Sequence, residues 1–184
     1  MPARSSSNFV SSESERPHLP IVLPTDLTVA AVVPRDGRYL IVEERASGVV
    51  VVTQPGGHIE AGESPEEAVV RETLEETGCH VEVDSLLGVY LWIHPQTRQQ
   101  FLRIVYIAAL VSDGRTRPLD DGVHAVHWYS LDDLRRRRQS LRSPVVIRCI
   151  DDYLAGVRPP HTLLSGMMPV QQNVEAVIAT ACLV

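Results

Sequence analysis

The stretch Gly56-Gly57-His58-Ile59-Glu60-Ala61-Gly62-Glu63-Ser64-Pro65-Glu66-Glu67-Ala68-Val69-Val70-Arg71-Glu72-Thr73-Leu74-Glu75-Glu76-Thr77-Gly78 decides how this chain folds. Ser64 suits an N-cap and Pro65 the first helical position. Glu66 and Glu67 favour the positive end of a helix, and Gly78 a terminus. The spacing therefore predicts a helix over Glu66 to Thr77. At about 100° per residue, Glu75 and Glu76 fall within about 60° of Glu72, whereas Val70, Thr73, Leu74 and Thr77 share the opposite side. One face is expected to pack on a sheet while the other gathers three carboxylates, with Ala68 small enough among them to let a ligand approach.

Like charges at i, i+3 and i+4 cost roughly 0.2–0.5 kcal/mol per pair in an isolated helix. Two readings follow from the three glutamates alone: a solvated acidic surface, since Glu is a strong helix former, or a cation site. The surroundings favour the second. Residues 58 to 78 carry seven acids against one arginine, and the Gly56-Gly57 pair allows main-chain carbonyls to come close because no β-carbon blocks them. Magnesium takes oxygen ligands, commonly carboxylates together with substrate phosphates. Arg71 reaches Glu75 at i+4, so its expected role is to orient rather than to bind phosphate.

On the N-terminal side, the apolar run Leu27 to Val33, the break Arg35-Asp36-Gly37-Arg38 and the run Tyr39 to Val42 read as a hairpin, followed by a third strand at Val49 to Val52. On the C-terminal side come strands at Val81 to Ile93, Leu102 to Val111 and Val123 to Tyr129. A short helix follows Ser130, and another opens at Pro144 with Gly156 near its end. Strands and helices mix irregularly, which predicts an α+β fold or mixed-sheet sandwich rather than a doubly wound parallel one. Residues 1–20 read as a disordered arm and residues 21–160 as the folded domain. Residues 161–184 form an apolar extension with Glu175 as its one charged side chain, either docked on the domain or placed at a homodimer contact.

The composition is that of one self-sufficient domain: 184 residues, 44% of them hydrophobic. A net charge of −6 argues against non-specific nucleic-acid binding. Cys79, Cys149 and Cys182 offer no metal-ligand spacing and no even disulfide framework. Neither a signal peptide nor an apolar stretch of about 18 residues is present, so a cytoplasmic protein that does not engage a membrane is expected.

Within the middle strands, Arg103 interrupts the apolar run Phe101-Leu102-Arg103-Ile104-Val105. It faces either solvent or a concave site, where its fork would grip a phosphate. Trp92 and Phe101 are candidates to stack on a ring and Tyr106 a weaker one, with core packing as the alternative for each. His58 and His124 are secondary candidates for contact with a ligand. The run Arg135 to Arg138 is spread around a helix and reads as a solvated surface.

The pattern Gly57-x5-Glu63-x7-Arg71-Glu72-Thr73-Leu74-Glu75-Glu76-Thr77-Gly78-Cys79 resembles the Nudix box. That resemblance implies an α/β/α sandwich with a mixed β-sheet and divalent cations held by Glu72, Glu75 and Glu76 with help from the Gly57 carbonyl. The cofactor expected is Mg2+, with Mn2+ as a substitute, and the reaction is hydrolysis of phosphoanhydrides. Thr73 and Cys79 depart from the larger aliphatic residues usual there. A distal acid is common in the family before the last strand. Here Asp120 and Asp121 stand in that region without the usual Glu.

Further pieces are similar to the Nudix phosphatases that act on thiamine pyrophosphate, hydroxymethylpyrimidine pyrophosphate and nucleoside di- or triphosphates. They are Gln54-Pro55-Gly56-Gly57-His58-Ile59-Glu60-Ala61, Trp92-Ile93-x-Pro95, Phe101-Leu102-Arg103, Trp128 and Leu141-Arg142-Ser143-Pro144. The expected partner is a small phosphoanhydride, with Glu76 or Glu72 activating water, Glu76 preferred. An ADP-ribose or other nucleoside-diphosphate-linked pyrophosphatase is the alternative, since Pro95 lies sixteen residues after Cys79. A purely regulatory nucleotide-binding domain would need a lost metal acid or an added domain, and this chain has neither.

Overall fold

The computed structural model describes residues 23–46, 48–114 and 119–164. The expected N-terminal arm and residues 165–184 of the apolar extension lie outside them. The strands are β1 (Thr25–Val32), β2 (Pro34–Arg35), β3 (Arg38–Ala46), β4 (Val49–Thr53), β5 (Cys79–Ile93), β6 (Gln100–Asp113) and β7 (Val123–Ser130), and the helices are α1 (Pro65–Thr77), α2 (Leu131–Arg136) and α3 (Val145–Leu154). A 3-10 turn spans His161–Leu164.

Strand β6 is the centre of one sheet, parallel to β1 and antiparallel to β5. Strand β3 is the centre of the other and pairs antiparallel with β2, β4 and β7. Alternation along β1 and β6 explains the layering. Val29, Ala31, Val33, Ile104, Tyr106 and Ala108 pack with Ala68 and Val69 of α1. The intervening Ala30, Val32, Val105 and Ile107 pack with Leu134 of α2 and with Cys149 and Ile150 of α3. Successive side chains of a strand leave opposite faces, so both faces of this sheet are covered by helix, the expected α/β/α sandwich with mixed strand directions.

Helix α1 starts where its sequence dictates. Ser64 accepts the Glu67 N–H and the Glu67 carboxylate accepts the Ser64 N–H, a reciprocal capping box. Gly78, in the left-handed region at φ 70°, ends the helix with its N–H on the Leu74 carbonyl. Two expectations about its faces need correction. Ala68 is fully buried among core residues, so it packs on the sheet and leaves no path for a ligand. Glu76, expected on an open acidic face, is only 8% exposed. Thr73 and Cys79, the two departures from the usual residue types, are completely buried, and Thr73 returns its hydroxyl to the Val69 carbonyl.

Strand β3 runs past Val42 to Ala46, further than its apolar run suggests. Glu43, Glu44 and Arg45 are held by pairing with Val52, Val51 and Val50 of β4, so long-range partners rather than hydrophobicity extend it.

Candidate active site

The segment after β4 is pressed against β1. Val29 donates to the Gly57 carbonyl at 2.9 Å, and Ala31 donates to the Pro55 carbonyl at 2.9 Å. Gly56 is required there: its φ is 148°, and a β-carbon would lie 2.2 Å from the Val29 oxygen. This approach carries two glycine backbones under α1. The Gly56 N–H donates to Glu76 Oε2 at 2.8 Å. The Glu72 carboxylate sits over Gly57, where a β-carbon would come within 2.5 Å of Oε1. The two carboxylates therefore converge on one short stretch of main chain.

Arg71 balances the remaining acids. Its Nε and Nη2 donate to Glu63 at 3.0 and 2.7 Å, its Nη1 to Glu72 and Glu75 at 3.0 Å each, and Nη2 also to the His58 carbonyl at 3.1 Å. The hydrogen bonds from Arg71 hold the Glu63 carboxyl below its ordinary range. Glu72 is raised, because burial outweighs the neighbouring guanidinium. Glu76 is pushed up to about 8, chiefly by burial. The Gly56 N–H and the Arg103 charge oppose that rise, while the charges of Glu44 and Glu72 add to it.

Beyond Glu76 lies a cleft lined by Tyr90, Trp92, Phe101, Arg103, Arg142 and Ser143. Trp92 and Phe101 face one another across β5 and β6, with ring centroids 5.6 Å apart and planes 25° from parallel. Tyr90 is fixed by its hydroxyl, which donates to Asp152 at 3.0 Å. Among the described residues Arg103 donates to two hydroxyls, Thr28 Oγ1 at 3.5 Å and Thr53 Oγ1 at 3.3 Å. Burial, then the like charge of Arg142, lowers its pKa.

The sequence candidates thus divide. Glu72, Glu75, Glu76, Arg71 and Gly57 meet at α1, and Arg103, Trp92 and Phe101 meet in the adjoining cleft. The His58 side chain is turned toward Asp26, 3.7 Å away, and is mostly exposed; its carbonyl is what contacts Arg71. Tyr106 is core. Asp120 is close enough to Glu72 to raise its pKa, Asp121 is exposed, and His124 accepts from Arg45 Nε at 3.4 Å. In the arginine run, Arg135 and Arg136 pair with acids on an exposed surface.

Sequence reasoning missed Glu44 and named Arg142 only within the stretch Leu141-Arg142-Ser143-Pro144; the two form an ion pair with each other. Strand parity gives no signal for Glu44, because Tyr39, Leu40, Ile41 and Val42 are all buried. A bridge between Leu141 and Val52 places Arg142.

The chemistry of these residues suits a hard divalent cation: carboxylate and carbonyl oxygens, a glycine that leaves room beneath Glu72, and a buried Glu76 carboxylate with one N–H donor and two acidic neighbours. Among the described residues no three acidic, His or Cys side chains are already gathered around one point. Arg71 draws Glu72 and Glu75 to its own nitrogen while Glu76 turns to Gly56.

Comparison with known proteins identifies the family and supports the fold. Residues 24–149 match the NUDIX domain family model. The phosphatase NudJ of Escherichia coli (strain K12) is 36% identical over 138 residues, 75% of this chain and 89% of the relative. A NUDIX hydrolase from Nitrosomonas europaea superposes with a TM-score of 0.73 at 37% identity, covering 82% of this chain and 98% of that one. A MutT NUDIX hydrolase from Burkholderia pseudomallei gives a TM-score of 0.59 at 29% identity, covering 70% and 97%.

Proposed function

We propose, from the premise that this chain belongs to the NUDIX family and is a hydrolase of phosphoanhydrides, that it removes phosphate from small pyrophosphate compounds with Mg2+ as cofactor. The substrate class is thiamine or hydroxymethylpyrimidine pyrophosphate together with nucleoside di- and triphosphates. One observation carries this reading: a cleft combines Arg103 with the Trp92–Phe101 pair, and Arg103 lies near enough to Glu76 of α1 for their charges to interact. Such a site grips phosphate strongly and reads a flat ring loosely, which suits several ring-bearing pyrophosphates. Similarity to a protein named as a phosphatase supports the same choice.

The chain's own residues divide the work. Arg103, whose hydrogen-bond partners among the described residues are two threonine hydroxyls, holds a phosphate oxygen and orients the group for in-line attack. Glu76, the most shielded acid of α1, takes the proton from the attacking water. Glu72 and Glu75, held by Arg71, and the Gly57 carbonyl hold the cation. When bound, a divalent cation supplies positive charge to the phosphoryl oxygens and makes water more acidic.

Incubation with thiamine pyrophosphate, nucleoside triphosphates and ADP-ribose, followed by phosphorus NMR, tests the reading. Orthophosphate and a monophosphate ester are expected from thiamine pyrophosphate. Pyrophosphate released from triphosphates, or AMP plus ribose 5-phosphate with little phosphatase activity, would overturn it.

A further inference from the structure

We infer that Arg142 is a second phosphate-holding residue of this cleft, and that in the unliganded chain Glu44 keeps its guanidinium engaged until a substrate phosphate displaces that carboxylate. The inference deepens the pyrophosphatase reading and rests on it.

The placement of Arg142 is rigid. Val52 donates to the Ser140 carbonyl at 2.8 Å, and the Arg142 N–H donates to the Val52 carbonyl at 3.1 Å. The next two residues of the same segment fix the rest of the cleft. Thr53 accepts from Arg103, and the buried Gln54 amide donates to the Val146 carbonyl at the start of α3 at 2.7 Å. Pro55 then leads into the two glycines under Glu72 and Glu76. One run of six residues, Val52 to Gly57, thus sets the positions of both arginines relative to the acids.

Four charges of this region act on one another. Glu44 adds to the field that disfavours ionised Glu76, Arg103 opposes it, and Arg142 disfavours the charge on Arg103. Only Arg142 and Glu44 are in ion-pair contact. Among the described residues no carboxylate lies within ion-pair distance of Arg103, while Glu76 and Glu44 act on it at longer range, so two guanidiniums share the cleft and the Arg142–Glu44 contact is the ion pair between them and the acids. A buried cation is costly without a counter-anion, and a phosphate presented between the two forks supplies it. The guanidinium has five donors. The Arg142 side chain remains 36% exposed against 16% for Glu44, so the arginine is the partner with room to turn.

A purely structural ion pair predicts different behaviour, because both of its members would then matter alike. Wild type, Arg142→Gln, Arg142→Lys and Glu44→Gln are titrated calorimetrically with methylenediphosphonate, whose bridging carbon resists hydrolysis, in the presence of Mg2+. Their thermal unfolding is recorded alongside. We expect Arg142→Gln to weaken binding about tenfold or more, Arg142→Lys to recover part of the loss, and Glu44→Gln to bind as tightly as wild type or tighter. Equal binding by Arg142→Gln, a Glu44→Gln variant as weak as Arg142→Gln, or no binding by wild type overturns the inference. If Arg142→Gln does not fold, the direction of the Glu44→Gln change decides. Failure of the pyrophosphatase reading itself looks different: Arg142-dependent binding persists while thiamine pyrophosphate and nucleoside triphosphates stay intact.

Discussion

The Gly56 N–H donates to Glu76 Oε2 at 2.8 Å, so the most buried acid of α1 is anchored to a backbone position where a β-carbon would collide with main chain. Gly56→Ala places its β-carbon against the Val29 carbonyl at a positive φ and is expected to destabilise the fold by about 3 kcal/mol. Gly57→Ala meets the movable Glu72 carboxylate instead. It is expected to keep the fold and weaken metal affinity. Denaturant unfolding and Mg2+ titration of the two variants check the contrast, and equal unfolding midpoints would contradict it.

The raised pKa of Glu76 fixes a sign for the metal-free protein. Its folded pKa, about 8, lies above that of an unfolded Glu at about 4.3, so the folded state binds the extra proton between these values. The stability this contributes is fully present below about pH 4 and is lost as pH rises toward and through 8. Thermal unfolding in chelator from pH 5 to 9 is expected to show that fall, Glu76→Gln to flatten it, and Mg2+ to restore stability at the alkaline end. A profile identical in wild type and Glu76→Gln would contradict the assignment.

Arg71 is a positioning residue for three carboxylates. Arg71→Gln leaves Glu63 and Glu72, both largely shielded, without their cation. It is expected to cost about 1–3 kcal/mol, less than a fully buried pair because the guanidinium is 24% exposed. Mg2+ affinity should fall with it, and Arg71→Lys should restore charge without the four-way hydrogen bonding. Unfolding curves and metal titrations measure both effects.

Cys149 of α3 is buried beside Tyr90, and burial pushes its thiol up to about 12. Native protein at neutral pH is expected to leave Cys149 unmodified by iodoacetamide, whereas the denatured chain reacts readily. Peptide mapping by mass spectrometry reads the difference.

Helix α1 and its caps were legible from local sequence because Ser64, Pro65, Glu67 and Gly78 act within a few residues of one another. That Glu72, Glu75 and Glu76 lie side by side was legible for the same reason. Burial was not: the helical period places Glu72, Glu75 and Glu76 together but does not say that β1 and the two glycines close over Glu76 while Glu75 stays 41% exposed. Arg103 stood out as a charge in an apolar strand. Glu44 and Arg142 did not, since they lie 98 positions apart and meet only because β4 pairs on one side with β3 and bridges Leu141 on the other.

Whether the carboxylates above Gly56 and Gly57 perform the hydrolysis is tested most directly by a metal-titrated activity series on Glu72→Gln, Glu75→Gln and Glu76→Gln. Glu76→Gln is expected to lose kcat by about 10²–10⁴-fold with no rescue at high Mg2+. Glu72→Gln should show a large loss together with a raised Mg2+ requirement, and the exposed Glu75→Gln the smallest loss, partly recovered by added metal. Equal tolerance of all three substitutions at every Mg2+ concentration would contradict the account.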